Sequence, residues 1–379
     1  MTRRRGHNEG SIYQRKDGRW AAVLDLGYQG GRRKRKALYG RTRREVQQKL
    51  FATRRALQEG LPVTSERQRL DQFLVRWLED VACPSLRPRT YTRYREILMC
   101  HAIPALGNRP LARITPQDLQ RLYSRKLQEG LAARTVGKLH VVLHRALQDA
   151  VRWGLVGRNV CDAVRPPKVH PREMRALSAD ESRQFLAAAQ GDPLEALYTL
   201  AVTTGLRQGE LLGLKWQDVD LEAGQLQVRR TIARVNGQGF VEQEPKSARS
   251  RRSIALAPLA VNALDRHHTR QLEKRLKALV WEENDLVFAN EVGRPIEAQN
   301  LMRRSFYPLL ERAELQRMRF HDLRHTAATL MLAQGVHPKV VQEMLGHSTV
   351  SLTLDTYSHV MPNMQAEAAA KMQMALSAR

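Results

Sequence analysis

Cysteine is scarce in this 379-residue chain: Cys83, Cys100 and Cys161 are odd in number and show no CxxC spacing. Neither a disulfide framework nor a structural zinc site is expected, and the chain reads as a protein of a reducing compartment, the cytoplasm. Long apolar runs are missing as well. No stretch of 18 apolar residues occurs, and the first thirty residues lack the apolar core of a signal peptide, so no membrane association is expected. There is no GxxxxGK[ST] loop and no acidic metal cluster, so no cofactor and no metal are expected. Acidic residues are outnumbered, 38 Asp plus Glu against 63 Lys plus Arg, for a net charge of +25. That surplus favours a polyanionic partner through phosphate contacts and counterion release.

What is present divides into three parts. Residues 1–60 carry 17 Lys/Arg against 5 Asp/Glu, a net +12 and nearly half of the total. Alternating runs broken at Asp17-Gly18 and Gly30-Gly31 predict three strands joined by two hairpin turns. A helix should follow from Thr42, capped by Glu45 three residues on, and run to Leu57 before Gly60. A polar linker, 61–68, leads to a second part, 69–161, that is helical from Leu70 to about Trp153. Thr115-Pro116 begins one of its four helices and Gly130 ends it. Surface cations here (Arg87, Arg89, Arg93, Arg95, Arg134 and Lys138) suit either phosphate contacts or plain solvation. Three prolines among many charges mark 162–177 as a linker. Ser178 and Glu181 then open the third part, 176–379, with helices, strand-like runs at 225–235, 239–245 and 250–257, and helices again from Pro258. The whole is an α+β chain, mainly helical, with a small antiparallel sheet in the third part.

Six residues of this third part carry chemistry: Arg207 in TGLRQGE, Lys246 in QEPKSARS, His321 and Arg324 in HDLRH, His347 in LGH, and Tyr357 ten residues later. A phosphodiester under attack accumulates charge on its non-bridging oxygens, which guanidinium forks stabilise without losing their protons. Arg207 and Arg324 fit that need, and Glu210, one helical turn from Arg207, would brace it. His321 and Arg324 share a helix face. His325 stands four residues after His321, a spacing also seen in metal sites, but the Glu of HExxH is absent; it reads as a packing or supporting residue.

In order and spacing this set resembles the tyrosine recombinases, phage-type integrases in particular. The resemblance covers most of the chain and implies a site-specific DNA recombinase that integrates or excises a phage or other mobile element. It implies Tyr357 as nucleophile, forming a 3′-phosphotyrosine, and His321 as base or hydrogen-bond donor to the phosphate. It makes His347 a phosphate ligand or, on the plainer reading, a helix cap. Lys246 becomes the acid for the leaving 5′ oxygen or a DNA-backbone contact; its unperturbed pKa of about 10.4 keeps it charged. Residues 1–60 resemble an arm-type DNA-binding domain and 69–161 a core-binding domain. Double-stranded DNA is then the partner, in a homotetramer, with room for an accessory DNA-bending or directionality factor. Residues 362–376 would pack on a neighbouring protomer. Type IB topoisomerases share the chemistry, but the basic N-terminal part and the LGH-to-Tyr spacing favour a recombinase. A regulator that kept the fold without activity is disfavoured because every expected position is filled.

Overall fold

The computed structural model describes residues 11–29, 32–58, 68–169, 174–235, 237, 239–244, 251–357 and 364–377. The chain forms two units, Met1–His170 and Pro171–Arg379. Within the first, β1 (Ser11–Gln14), β2 (Trp20–Gln29) and β3 (Arg32–Gly40) make an antiparallel meander. The expected turn at Asp17-Gly18 joins β1 to β2, while Gly30-Gly31 lies outside the described residues. Alternation puts Ala22 and Leu24 on one face, where Val46 and Leu50 of α1 (Arg43–Gln58) cover them. The α1 cap differs from expectation in one bond. Thr42 Oγ1 accepts from Glu45 N at 3.2 Å, but the Glu45 carboxylate accepts from Arg41 N at 2.9 Å instead of from Thr42.

The helical part of this unit comprises α2 (Leu70–Trp77), α3 (Cys83–Ser85), α4 (Pro88–Ile97), α5 (Ile103–Leu106), α6 (Pro116–Gln128) and α7 (Ala133–Arg152). The first four are really two rods, each interrupted by a π turn, 78–82 and 98–102. Proline explains both. Pro84 and Pro104 have no N–H and would clash with the carbonyl four residues back. The chain widens, and the residue before each proline donates five residues back, Cys83 to Leu78 O and Ile103 to Leu98 O. Trp77 is buried between the rods and α7, its indole Nε1 donating to Asp149 Oδ2 at 2.8 Å. Thr115 caps α6 as expected, accepting from Asp118 N.

The stretch 162–177 is shorter as a connection than its composition suggests. Cys161 and Val164 belong to the helical core of the first unit, and Leu177 is buried in the core of the second.

The second unit opens with α8 (Ala179–Ala189), capped reciprocally by Ser178 and Glu181, followed by α9 (Glu195–Thr204) and α10 (Gln208–Leu212). α9 is buried all round, packed on α11 (Pro258–Lys277) and α14 (Phe320–Ala333). Between α10 and α11 the run 225–235 is two strands. β4 (Val219–Asp220), β5 (Gln225–Val228) and β8 (Arg252–Ala255) form one sheet; β6 (Thr231–Val235) and β7 (Gly239–Gln243) form a separate hairpin. The apolar piece 285–290 pairs through isolated bridges at Leu286 and Ala289, and buries Leu286, Val287 and Phe288. α12 (Ala298–Leu301) runs through a third π turn, 302–306, into α13 (Tyr307–Arg312), again immediately before an X-Pro pair, Tyr307-Pro308. After α14 come α15 (Pro338–Leu345), α16 (Val350–Tyr357) and α17 (Met364–Ser377). Among the described residues no helix is long and apolar enough to cross a membrane.

One backbone position ties three elements of this unit together. Gly205 ends α9 at φ +66°, and a Cβ there would lie 2.5 Å from Leu345 Cδ2 and 3.3 Å from Ala327 Cβ. Gly205→Ala is therefore strained twice, by the left-handed backbone, about 1–2 kcal/mol, and by overpacking, about 1–3 kcal/mol. Gly335, at φ +74° with open space for 4 Å around the position a Cβ would take, is the control, carrying the backbone penalty alone. Urea denaturation should show Gly205→Ala clearly less stable than Gly335→Ala; equal midpoints would refute the tight packing at α9, α14 and α15.

Candidate active site

The site is built where α9, α10, α14, α15 and β8 converge. The left-handed turn at Gly205 and the buried Leu206 place Arg207 as the extended residue that begins α10. Glu210, one turn on, caps this helix with its own side chain: Arg207 N donates to Oε2 at 3.0 Å. The Arg207 guanidinium returns to Glu210 Oε1 at 2.7 Å and reaches Gly346 O at 3.4 Å. So the expected brace between Arg207 and Glu210 is present, and it is not a simple pair. Arg252 of β8 donates from Nη2 to Glu210 Oε2 at 2.9 Å and from Nε to Met344 O at 2.5 Å.

Glu210 is almost completely buried, yet its pKa lies below the usual carboxylate value. Burial alone would raise it; the hydrogen bonds and charge of Arg252, together with the charge of Arg207, more than offset that desolvation. The carboxylate is ionised at neutral pH and fixes two guanidinium groups.

Arg324 enters from α14. It is 3% exposed, and its two terminal nitrogens donate to Gly205 O at 2.9 Å and Leu345 O at 2.6 Å. Burial, then the repulsion of Arg207, lowers its pKa to about 9, which leaves it charged at neutral pH. His321, one turn earlier, is solvent-exposed. Desolvation first, then Arg324 and Arg207, lowers its pKa.

Gly346, at φ +66°, ends α15 in the left-handed conformation, and a Cβ there would lie 3.1 Å from Arg252 Nη1. His347, the next residue, lies within the electrostatic reach of Arg324, Arg207 and Arg252. Its backbone is held on both sides by Gln342, whose carbonyl accepts from His347 N at 3.0 Å and whose Nε2 donates to His347 O at 2.6 Å. Its Nδ1 lies 2.8 Å from the hydroxyl of the buried Thr353. Burial, Arg324 and Arg207 lower its pKa to about 4.

Tyr357, the last residue of α16, is 2% exposed and packs with Ala328, Leu332, Val341 and Leu345. Its hydroxyl lies 2.6 Å from His325 Nδ1. Burial raises the phenol's pKa to about 12, and Arg324 opposes that rise.

The structure thus gathers Arg207, Glu210, His321, Arg324, His347 and Tyr357 in one place; Lys246 lies outside the described residues. Two further residues belong to the cluster. Arg252 shows in the sequence only as an arginine on the inward-facing register of a strand, alternating with exposed Ser253 and in phase with buried Ile254. His325, expected to pack or support, contacts the Tyr357 hydroxyl; its signal was the four-residue spacing from His321, which puts both rings on one face. A cluster of fixed cations, neutral imidazoles and one buried phenol is suited to an anionic substrate that a hydroxyl can attack.

Comparison with known proteins shows the family and the fold. Residues 175–364 match the phage integrase family and residues 70–127 match the phage integrase N-terminal SAM-like domain. A XerC-like tyrosine recombinase of Caldanaerobacter subterraneus subsp. tengcongensis is 33% identical over 90% of this chain and 92% of that protein. An integrase of Streptomyces ambofaciens is 30% identical over 94% of each chain. Among solved structures, the Tn1549 transposon integrase in complex with a circular intermediate DNA shares the fold with a TM-score of 0.67 at 22% identity, covering 81% of this chain and 99% of that one. A lambda integrase tetramer bound to a Holliday junction aligns with a TM-score of 0.57 at 22% identity over 94% of this chain and 96% of that one. The chain belongs to the phage integrase family, the tyrosine recombinases that cut and rejoin DNA at specific sites.

Proposed function

We propose that Tyr357 attacks a DNA phosphodiester to form a 3′-phosphotyrosyl intermediate, with Arg207 and Arg324 stabilising the non-bridging oxygens. The observation that carries this reading is the convergence of a buried tyrosine with two fixed guanidinium groups, Arg207 held by the buried Glu210 carboxylate and Arg324 by the Gly205 and Leu345 carbonyls. His321 and His347 hydrogen-bond the phosphate. Lys246 protonates the leaving 5′ oxygen. Because the phosphotyrosyl bond conserves the energy of the broken linkage, rejoining to another 5′ hydroxyl needs no cofactor.

The reading extends to the whole chain. Residues 1–60 act as an arm-type DNA-binding domain, 69–161 as a core-binding domain and 176–379 as the catalytic domain. They act on double-stranded DNA as a homotetramer, open to an accessory bending or directionality factor, in a cytoplasmic, nucleoid-associated setting. The relatives come from phage-like and mobile elements, including a Bacillus subtilis ICEBs1 integrase and a putative prophage phiRv2 integrase of Mycobacterium tuberculosis, which supports integration or excision of such an element.

Covalent trapping on a randomised library of nicked duplexes tests the nucleophile and yields a substrate. Tyr357→Phe should retain DNA binding and form no adduct; an adduct from that variant would overturn the assignment. On the trapped duplex, Lys246→Ala should slow cleavage by roughly 10²–10⁴-fold. Sulfur in place of the bridging 5′ oxygen should erase most of that loss, since a thiolate leaves without a proton. Arg207→Ala and Arg324→Ala should stay slow on either substrate. Failure of sulfur to rescue Lys246→Ala would move the acid elsewhere.

Deletion of 1–60, which removes +12 of charge, should leave cleavage of a short core duplex intact and impair recombination of full sites. Equal recombination with and without the segment would rule out a separate arm contact. Truncation after Pro362 removes α17, on which Met372, Met374 and Leu376 are exposed. Synapsis and cleavage, followed by gel shift and adduct formation, should both fall; unchanged values would eliminate coupling through this helix.

A further inference from the structure

The side chain that meets the reacting oxygen of Tyr357 is none of the six expected catalytic residues. His325 Nδ1 lies 2.6 Å from the hydroxyl, within the range of a strong hydrogen bond, and the two rings sit 5.8 Å apart between centroids. α14 fixes the imidazole from behind, since Arg324, the preceding residue, is clamped to Gly205 O and Leu345 O. His321, one turn back on the same face, presents its ring edge-on at 5.1 Å and 88°. His321 is exposed, whereas His325 is half-buried against the phenol. We propose that His325 holds the Tyr357 hydroxyl for attack and accepts its proton as the new oxygen–phosphorus bond forms. This rests on the reading of Tyr357 as nucleophile and names the base within that same site.

The step balances. The O–H electron pair of Tyr357 becomes the new O–P bond, and the proton passes to the Nδ1 lone pair of neutral His325, giving an imidazolium. The bond from phosphorus to the 5′ oxygen breaks, and that oxygen takes a proton from the acid. In rejoining, the attacking 5′ hydroxyl gives its proton back to the deprotonated acid as its oxygen bonds phosphorus, and the imidazolium returns the other proton to the departing tyrosine oxygen.

The charges around His325 explain why it is available as an acceptor. On its own helix it faces His321, Asp322, Arg319 and Arg324; from the neighbouring elements it faces Tyr357 and His347. Burial first, then His321, with Arg319 and Arg324 adding and Asp322 opposing, lowers its pKa to about 4, so the ring is neutral and its lone pair open at physiological pH. The phenol lies near 12. Burial disfavours the charged form of both groups, so the resting pair is a neutral phenol on a neutral imidazole and the proton moves as attack proceeds. A DNA phosphate entering among these cations narrows the gap, because its negative charge stabilises an imidazolium.

The test uses the full-length chain and a duplex trapped by the wild type, resynthesised with sulfur at the bridging 5′ position so that leaving-group protonation does not limit the rate. Single-turnover adduct formation by His325→Ala should fall about 10²–10⁴-fold while DNA retention is unchanged. Free imidazole should accelerate His325→Ala and leave the wild type unaffected. His325→Asn keeps an acceptor atom near the position of Nδ1 but has no basic nitrogen, and should stay slow. Wild-type rates from His325→Ala would overturn the proposal. So would wild-type rates from His325→Asn, since fixing the hydroxyl would then suffice. Loss of DNA retention by both variants would assign His325 to folding and likewise overturn it. Tyr357→Phe separates the two readings. An adduct from Tyr357→Phe removes the nucleophile assignment itself, whereas no adduct from it together with an undiminished His325→Ala removes only the base.

Discussion

The buried carboxylate of Glu210 is the constraint on which the site depends. Arg207, Arg252 and Arg324, from three separate elements, crowd together with three imidazoles. Unpaired, such like charges repel strongly in a poorly solvated interior. Glu210 supplies a counter-charge that Arg207 and Arg252 share, and backbone carbonyls at Gly205, Met344, Leu345 and Gly346 take remaining N–H groups. Those carbonyls lie at the C-terminal ends of α9 and α15, where helix dipoles favour cations and the last carbonyls lack partners within their own helices. The helix termini and the arginines thus satisfy one another. Removing the carboxylate would loosen both guanidinium forks at once, which makes Glu210 a positioning residue rather than a reacting one.

The same concentration of positive charge sets the protonation of the rest. His321, His325 and His347 are all lowered, with burial the first cause in each and neighbouring cations adding to it. Without DNA the site therefore holds neutral imidazoles and an un-ionised tyrosine. This is a state ready to receive a phosphate, because the anion would relieve the repulsion among the arginines and raise the basicity of the imidazoles together. In the proposed mechanism, anion binding and proton transfer would draw on one electrostatic source.

Packing around the site is dense where the chemistry demands fixed geometry. Gly205 and Gly346 are the two points where the backbone must come close, one against Leu345 and Ala327, the other against Arg252. Away from the site the helices bend for a different reason. The three π turns each directly precede an X-Pro pair, so they are accommodations to a missing donor and a crowded carbonyl.

Local order determined much of this protein. Capping pairs at Thr115 and Ser178, prolines at helix starts, the left-handed glycine after α15 and the alternation in the strands all rest on contacts within a few residues, and these could be read directly. The residues Arg207, Glu210, His321, Arg324, His347 and Tyr357 were legible as a set because their order and motifs resemble a family. Their meeting in space was not derivable from spacing. Arg207 and Gly346 are 139 residues apart, and Glu210 and Arg252 are 42 apart. The run 225–235 looked like one strand because periodicity does not say which neighbour each half will pair with; β5 joins β8 while β6 turns to β7. Arg252 and His325 were undervalued for the same reason. A strand arginine or a helix histidine declares its side of the element, but only tertiary packing supplies the partner, here a buried carboxylate in one case and the tyrosine hydroxyl in the other.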